Sequence, residues 1–270
     1  RSLAKLDPAA SALLEAIAVA GLPIAPELAA RAVDLEGDLR AAVAHLRANR
    51  LIRTAGAAGD AVECYHQRIA RATLMRLAPE ALAERHRRMA AALIEAGRAE
   101  PERLVHHWFS AGDLGRAGEA AGEAAEVSLR TCAFESAVRM LEIARSCRPH
   151  DPALNRKLAQ ALVSAGRSAE AAPLLLEASA TTNRAAVSKR LRREAGEHWM
   201  LSGSLAQGLV VLRPLLAELE IGYPEHETAA QQQLSAQLGR LVRRALVWAE
   251  RSAMELPSRE LERHDLCWSL

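Results

Sequence analysis

Histidines are the residues here most able to do chemistry, and they bunch. Nine occur in the 270-residue chain; His106 and His107 are adjacent and precede Trp108, with His66 and His86 upstream. Imidazoles bind transition metals and carry protons near neutral pH. Neighbours on a helix point about 100° apart, however, so His106 and His107 are poorly placed to share one ion. No His pair at i, i+4 and no H-E-x-x-H stretch accompanies them. The expected arrangement packs one of the two between helices and leaves the other in solvent, with no metal site. Phosphoryl transfer and serine hydrolysis lack their parts as well: there is no G-x-x-x-x-G-K-[ST], no G-x-G-x-x-G after a strand, no G-x-S-x-G and no kinase H-R-D or D-F-G set. Gly56-Ala57-Ala58-Gly59 has no lysine and reads as a turn. No catalytic or cofactor-binding residue is expected, and the chain itself is not read as an enzyme.

Cations cluster at Arg85-His86-Arg87-Arg88, at Lys189-Arg190-Leu191-Arg192-Arg193 and at Arg240, Arg243 and Arg244. Carboxylates such as Glu84 and Glu194 are interspersed, so these read as solvated helix faces. A formal net charge of +2 is too mild to announce a nucleic-acid protein. Arg47, Arg50 and Arg53 are where a DNA-binding winged helix would meet phosphates. The helix before them offers mostly Ala, Val and Leu, with only Arg40, His45 and Arg47 able to reach base edges. Protein packing is the expected use, and DNA is not the expected partner. Four cysteines lie far apart without a C-x-x-C pair, which argues against zinc and against a disulfide scaffold and suits a reducing, cytoplasmic setting. No apolar run is long enough to cross a membrane.

Helices are expected over 8–20, from Pro26 to about Val33, and after Asp38 with Leu39, Val43 and Leu46 inward. Two short extended runs, 51–54 and 61–65, flank the Gly-rich turn. Three helices closed by a hairpin make a winged-helix-like unit. From Gln67 onward everything reads as helix, broken at Pro79, Gly97, Pro101, Gly112, Pro149, Gly166, Gly203 and Gly222-Tyr223-Pro224. Pro173 and Pro214 fall inside helices and are expected to kink or shorten them. A further helical stretch runs from about 227 to 254, with another after Pro257.

A helical hairpin recurs in this region. Around Gly166 stand Ala159 and Leu162 before the turn and Ala171, Leu175 and Ala178 after it; around Gly203 the same offsets give Gly196, Trp199, Gly208, Leu212 and Leu215. Gly112 gives Val105, Trp108, Ala117, Ala121 and Ala124, and a copy without the glycine keeps Phe134, Ala137, Leu141 and Ala144. Turns near 133, 166 and 203 are 33 and 37 residues apart, a tetratricopeptide-like (TPR-like) spacing. Ala or Gly at the crossing lets helices approach, and the neighbouring Trp or Leu fills the groove. The fold expected is mainly all-α: a winged-helix-like domain at 1–78, a linking helix at 79–100, an α-α superhelix of TPR-like hairpins at 101–222 and a further helical hairpin at 223–270. The chain opens on Arg1-Ser2 and stops inside an amphipathic pattern, which reads as part of a longer protein.

Cys64-Tyr65-His66-Gln67-Arg68-Ile69-Ala70-Arg71-Ala72 resembles the strand-to-helix junction that follows the nucleotide-binding module in large bacterial STAND-type signalling ATPases. The family pattern is aromatic-His-Asp-x-Ile-Arg; here Gln67 stands for Asp and Ala70 for Arg. Leu82–Ala90 and Leu104-Val105-His106-His107-Trp108-Phe109-Ser110-Ala111-Gly112-Asp113 resemble the segments that follow, and 261–269 is similar to members fused to a serine/threonine protein kinase. The resemblance implies Tyr65, His66, Gln67 and Ile69 at an interdomain junction, and a parent that binds ATP and Mg in domains outside this chain. The expected function is a non-catalytic regulatory and protein-interaction segment, partnered by the parent's own ATPase and kinase domains and by a protein or peptide in the repeat groove. The alternative is the helical-repeat part of an ATP-dependent transcription regulator.

Overall fold

The computed structural model describes residues 6–56, 59–149, 151–243 and 253–270. These residues are mainly helical, with one two-stranded antiparallel sheet. The chain divides into two compact units, Arg1–His150 and Asp151–Leu270. The 101–222 segment therefore contributes helices to both.

The first unit is built around α1 (Pro8–Ala20). Asp7 caps it by accepting from the Ala10 amide at 2.7 Å, Pro8 presets the first turn, and Gly21 ends it. Leu13, Leu14, Ala16, Ile17 and Val19 are all buried. A helix apolar on so many sides must be enclosed, and α1 packs against α2 (Pro26–Arg31), α3 (Leu39–Ala48), α4 (Gln67–Leu74), α5 (Pro79–Glu95) and the hairpin. Strands β1 (Ile52–Ala55) and β2 (Ala61–Cys64) pair from Ile52 opposite Cys64 to Ala55 opposite Ala61. Val62 also exchanges both backbone hydrogen bonds with Ile24, at 3.0 and 2.8 Å. The link between α1 and α2 thereby becomes a third rung beside the hairpin. Helices α6 (Pro101–Ser110), α7 (Leu114–Arg130) and α8 (Phe134–Cys147) follow, each packed on its predecessor.

The second unit contains α9 (Pro152–Ser164), α10 (Ser168–Thr181), α11 (Ala185–Leu201), α12 (Leu205–Glu218), α13 (Glu227–Arg243), a short 3-10 turn (Ala253–Glu255) and α14 (Ser258–Trp268). Consecutive helices from α9 to α12 pack in pairs, and α14 returns onto α12. Leu266 of α14 completes a core with Leu212, Leu215, Leu216 and Leu219. The helix expected from 227 to 254 coincides with α13 and the 3-10 turn; residues 244–252 lie outside the described residues.

One turn geometry closes the helical hairpins. After α6 the Asp113 amide reaches back to the Trp108 carbonyl at 3.0 Å; Arg167 does the same to Leu162 at 2.8 Å and Ser204 to Trp199 at 2.8 Å. This six-residue back-bond needs a left-handed residue just before the donor. Gly166 supplies it at φ 77°, whereas at the copy without glycine Cys132 adopts φ 56°, and Ala133 bonds Ser128 at 2.8 Å. The turn thus survives the loss of its glycine at a steric cost of about 1–2 kcal/mol for an L-residue.

The shortening expected at Pro173 and Pro214 does not occur: α10 and α12 run through both. Each proline forfeits one helix hydrogen bond. Both rings lie on exposed faces, while Leu174, Leu175, Leu212, Leu215 and Leu216 around them are buried. Burial of these leucines, about 1.5–3 kcal/mol each, outweighs the local loss.

Two substitutions test this packing. Gly196→Ala should destabilise the chain by about 1–3 kcal/mol by overpacking, because a Cβ there would lie 2.5 Å from the Leu212 side chain. Cys132→Gly should instead stabilise it, by about 0.5–1 kcal/mol, by relieving the left-handed strain. Urea denaturation of both variants checks the pair of signs.

Candidate functional site

Most residues expected to pack the repeats lie inside. Ala117, Ala137, Leu141, Ala159, Ala171, Leu175, Ala178 and Leu212 are buried with Trp108, while Phe134 and Trp199 are half-buried. Gly112 and Gly203 sit in the turns with positive φ. At Gly208 an added Cβ would come within 2.7 Å of Met200 Sδ, so α11 and α12 touch through glycine on both sides.

The basic clusters keep the exposed faces expected at Arg87, Arg88, Lys189, Arg190 and Arg240, and several members also make specific contacts. Arg85 of α5 reaches Glu15 of α1 with Nε at 3.1 Å and Nη2 at 2.9 Å, and Arg88 bonds Asp34 at 2.8 Å. Lys189 pairs with Glu218 at 2.8 Å, and Arg193 bonds Glu197 at 3.0 Å and Ser269 Oγ at 2.9 Å. Arg85 and Lys189 join two helices, Arg88 and Arg193 reach Asp34 and Ser269 beyond helix ends, and Glu197 is an i, i+4 partner within α11. Arg240 is on α13; Arg244 lies outside the described residues. Arg53 is engaged across the hairpin by Glu63 at 2.8 Å, and Arg50 occupies a left-handed turn at φ 55°.

Tyr65, His66 and Gln67 come together at a cleft of about 350 Å³ between the end of α1, the hairpin and the start of α4. Arg53 and Glu63 form its polar edge, and Ile69 is half-buried outside its lining. Within its lining, burial and the Glu63 charge push the Cys64 thiol up to about 11. That is the wrong direction for a nucleophile.

In the second unit, a groove of about 440 Å³ runs between α9 and α11. Its floor is apolar, formed by Ala159, Leu175 and Leu191. Arg156, Lys157 and Gln160 of α9 form one wall; Arg190, Glu194 and His198 stand on the other, at i, i+4 and i+8 along α11. Arg190 and Glu194 approach to 3.6 Å, and His198 Nδ1 is buried without a hydrogen-bond partner. The walls thus carry Arg156, Lys157, Arg190 and Glu194 above an apolar floor. Arg156 and Lys157 carry no signal in the sequence, because their counterpart Arg190 is on another helix.

The histidines form the third feature. His86 from α5 and His107 from α6 are buried, at 6% and 1% exposure, and their Nδ1 atoms face each other at 3.0 Å. His106 stays exposed, yet its ring is 5.4 Å from His86 and 5.2 Å from His107, centroid to centroid. One ligand atom from each of the three lies within 4.8 Å of the others. Divergence of adjacent residues on α6 does hold for His106 and His107, but α5 delivers His86 between them. Burial, with the neighbouring charge of His106, pushes His86 down to about 4. Burial, followed by His86, His106 and Arg103, pushes His107 down to about 3.

No protein family, curated protein or solved structure matches this chain. No helix among the described residues is long and apolar enough to cross a membrane.

The buried histidine pair makes stability depend on pH. Both groups hold protons less tightly folded than unfolded, so their contribution is complete above about pH 6.5 and is lost as pH falls toward about 4 and then 3. The loss should be on the order of a few kcal/mol. In chelator-treated protein, the urea midpoint should fall across this window, and His107→Asn, weaker at neutral pH, should show a flatter dependence. An equal slope in the variant would remove the pair as the cause.

Proposed function

We propose that this chain is a non-catalytic regulatory and protein-interaction segment, and that its α9–α11 groove docks an acidic, partly apolar peptide segment of a protein partner. The groove is the observation that carries this reading. Its volume and apolar floor can accommodate a few side chains of an extended or helical segment. Arg156, Lys157 and Arg190 supply the positive potential that steers and orients carboxylates. His198 Nδ1 offers one further polar contact inside the wall.

The resemblance at Tyr65-His66-Gln67 and at 104–113 supports a parent of the STAND signalling ATPase type, fused to a serine/threonine protein kinase and working in the cytoplasm. ATP and Mg would be bound by the parent's other domains. On this reading the cleft at Tyr65, His66 and Gln67 meets the parent's ATPase module, and repeat hairpins of the TPR kind hold the peptide groove in shape. Engagement of the groove would relieve or impose restraint on the ATPase and kinase. A transcription-regulator parent would use the same groove.

Binding of fluorescent peptides rich in Glu and Leu to the full chain tests the groove. Affinity should fall as salt rises, and Arg156→Glu with Arg190→Glu should weaken it at least about tenfold, the equivalent of about 1.4 kcal/mol. Undiminished binding by the double variant would place the partner surface elsewhere. Unchanged ATPase and kinase output on removing this segment from the parent would contradict its regulatory role.

A further inference from the structure

We infer that His86, His106 and His107 form a transition-metal site that takes a divalent ion of zinc-like character. Three features converge on it. The rings of α5 and α6 stand in a near-equilateral triangle, with centroids 5.2, 5.3 and 5.4 Å apart. The 3.0 Å between His86 Nδ1 and His107 Nδ1 is close to the nitrogen separation of ~3.3 Å that a tetrahedral ion imposes with metal–nitrogen bonds of about 2.0–2.1 Å. The third ligand, His106, is exposed, with a ligand atom within 4.8 Å of those of the other two, which leaves the ion a route from solvent.

The chemistry of the donors selects the ion. Neutral imidazole is the ligating form and suits zinc, cobalt, nickel and copper better than magnesium or calcium, which prefer oxygen. Burial keeps His86 and His107 in that form at neutral pH. Three neutral donors leave the dication its full charge and an open fourth position.

Arg103 shapes what fills that position. It lies one helical turn before His107 on α6, and its charge acts on that imidazole. A guanidinium beside a dication is unfavourable unless an anion lies between them. Nε and Nη2 of Arg103 are buried without hydrogen-bond partners, and these two atoms form the edge of guanidinium that grips an anion in parallel. An anion in that position, such as hydroxide, chloride or a carboxylate, would answer both positive charges.

A direct N–H···N bond between two neutral imidazoles is the competing account of the 3.0 Å contact, and metal titration separates the two. The tag-free full chain is titrated with cobalt(II) and then with zinc(II). The expected result is saturation at one equivalent, with the intense visible absorption of four-coordinate cobalt, bleached when zinc displaces it. His106→Ala changes an exposed side chain and should keep the metal-free circular dichroism and melting curve while weakening cobalt binding at least about tenfold. No saturable uptake would leave a hydrogen-bonded pair only. Uptake undiminished in His106→Ala would overturn the three-histidine site.

Discussion

Close approach of helices through alanine and glycine is the constraint on which the rest depends. Aromatic residues are 3% of the chain, so few large side chains can fill gaps between separated helices. Burial must come from thin surfaces brought close together. Leu212 against Gly196, Met200 against Gly208 and the Cys147 side chain against Gly118 are three expressions of this, each leaving no room for a Cβ. Such contacts fix the spacing of consecutive helices within narrow limits. The α9–α11 groove likewise lies over small and apolar side chains, the buried Ala159 and Leu175.

Function then divides between rigid parts and the side chains mounted on them. α10, wedged between α9 and α11, holds the two groove walls apart and contributes Leu175 to the floor. In the first unit, α5 and α6 bring their histidines together because Met89, Ala90 and Leu93 pack inward on one and Leu104, Val105 and Trp108 on the other. Arg116 adds a cap over Trp108, 4.6 Å from its ring. Half-buried Arg85 also joins elements: its partner Glu15 is 70 positions away in sequence.

Local chemistry was legible in the residues. Proline at first turns, capping Asp7 and Asp38 and glycine after helix ends set most boundaries to within a few residues. The hairpin followed from two short runs around a Gly-rich turn. Legibility failed where one residue's preference met a stronger tertiary term. Pro173 and Pro214 do not end their helices because neighbouring leucines are buried, and Cys132 takes a glycine's conformation because the hairpin requires it. The histidine triangle and the groove were hidden for a different reason. Each joins residues from two helices whose pairing is set by packing, so no spacing within one helix announces it.

Amide hydrogen exchange with and without a saturating Glu- and Leu-rich peptide tests the interaction reading most directly. The account predicts slowed exchange in α9 and α11, centred on the turns that carry Arg156 and Arg190, with α1 to α3 and the hairpin unchanged. Protection confined to the first unit, or no protection at saturating peptide, would contradict it.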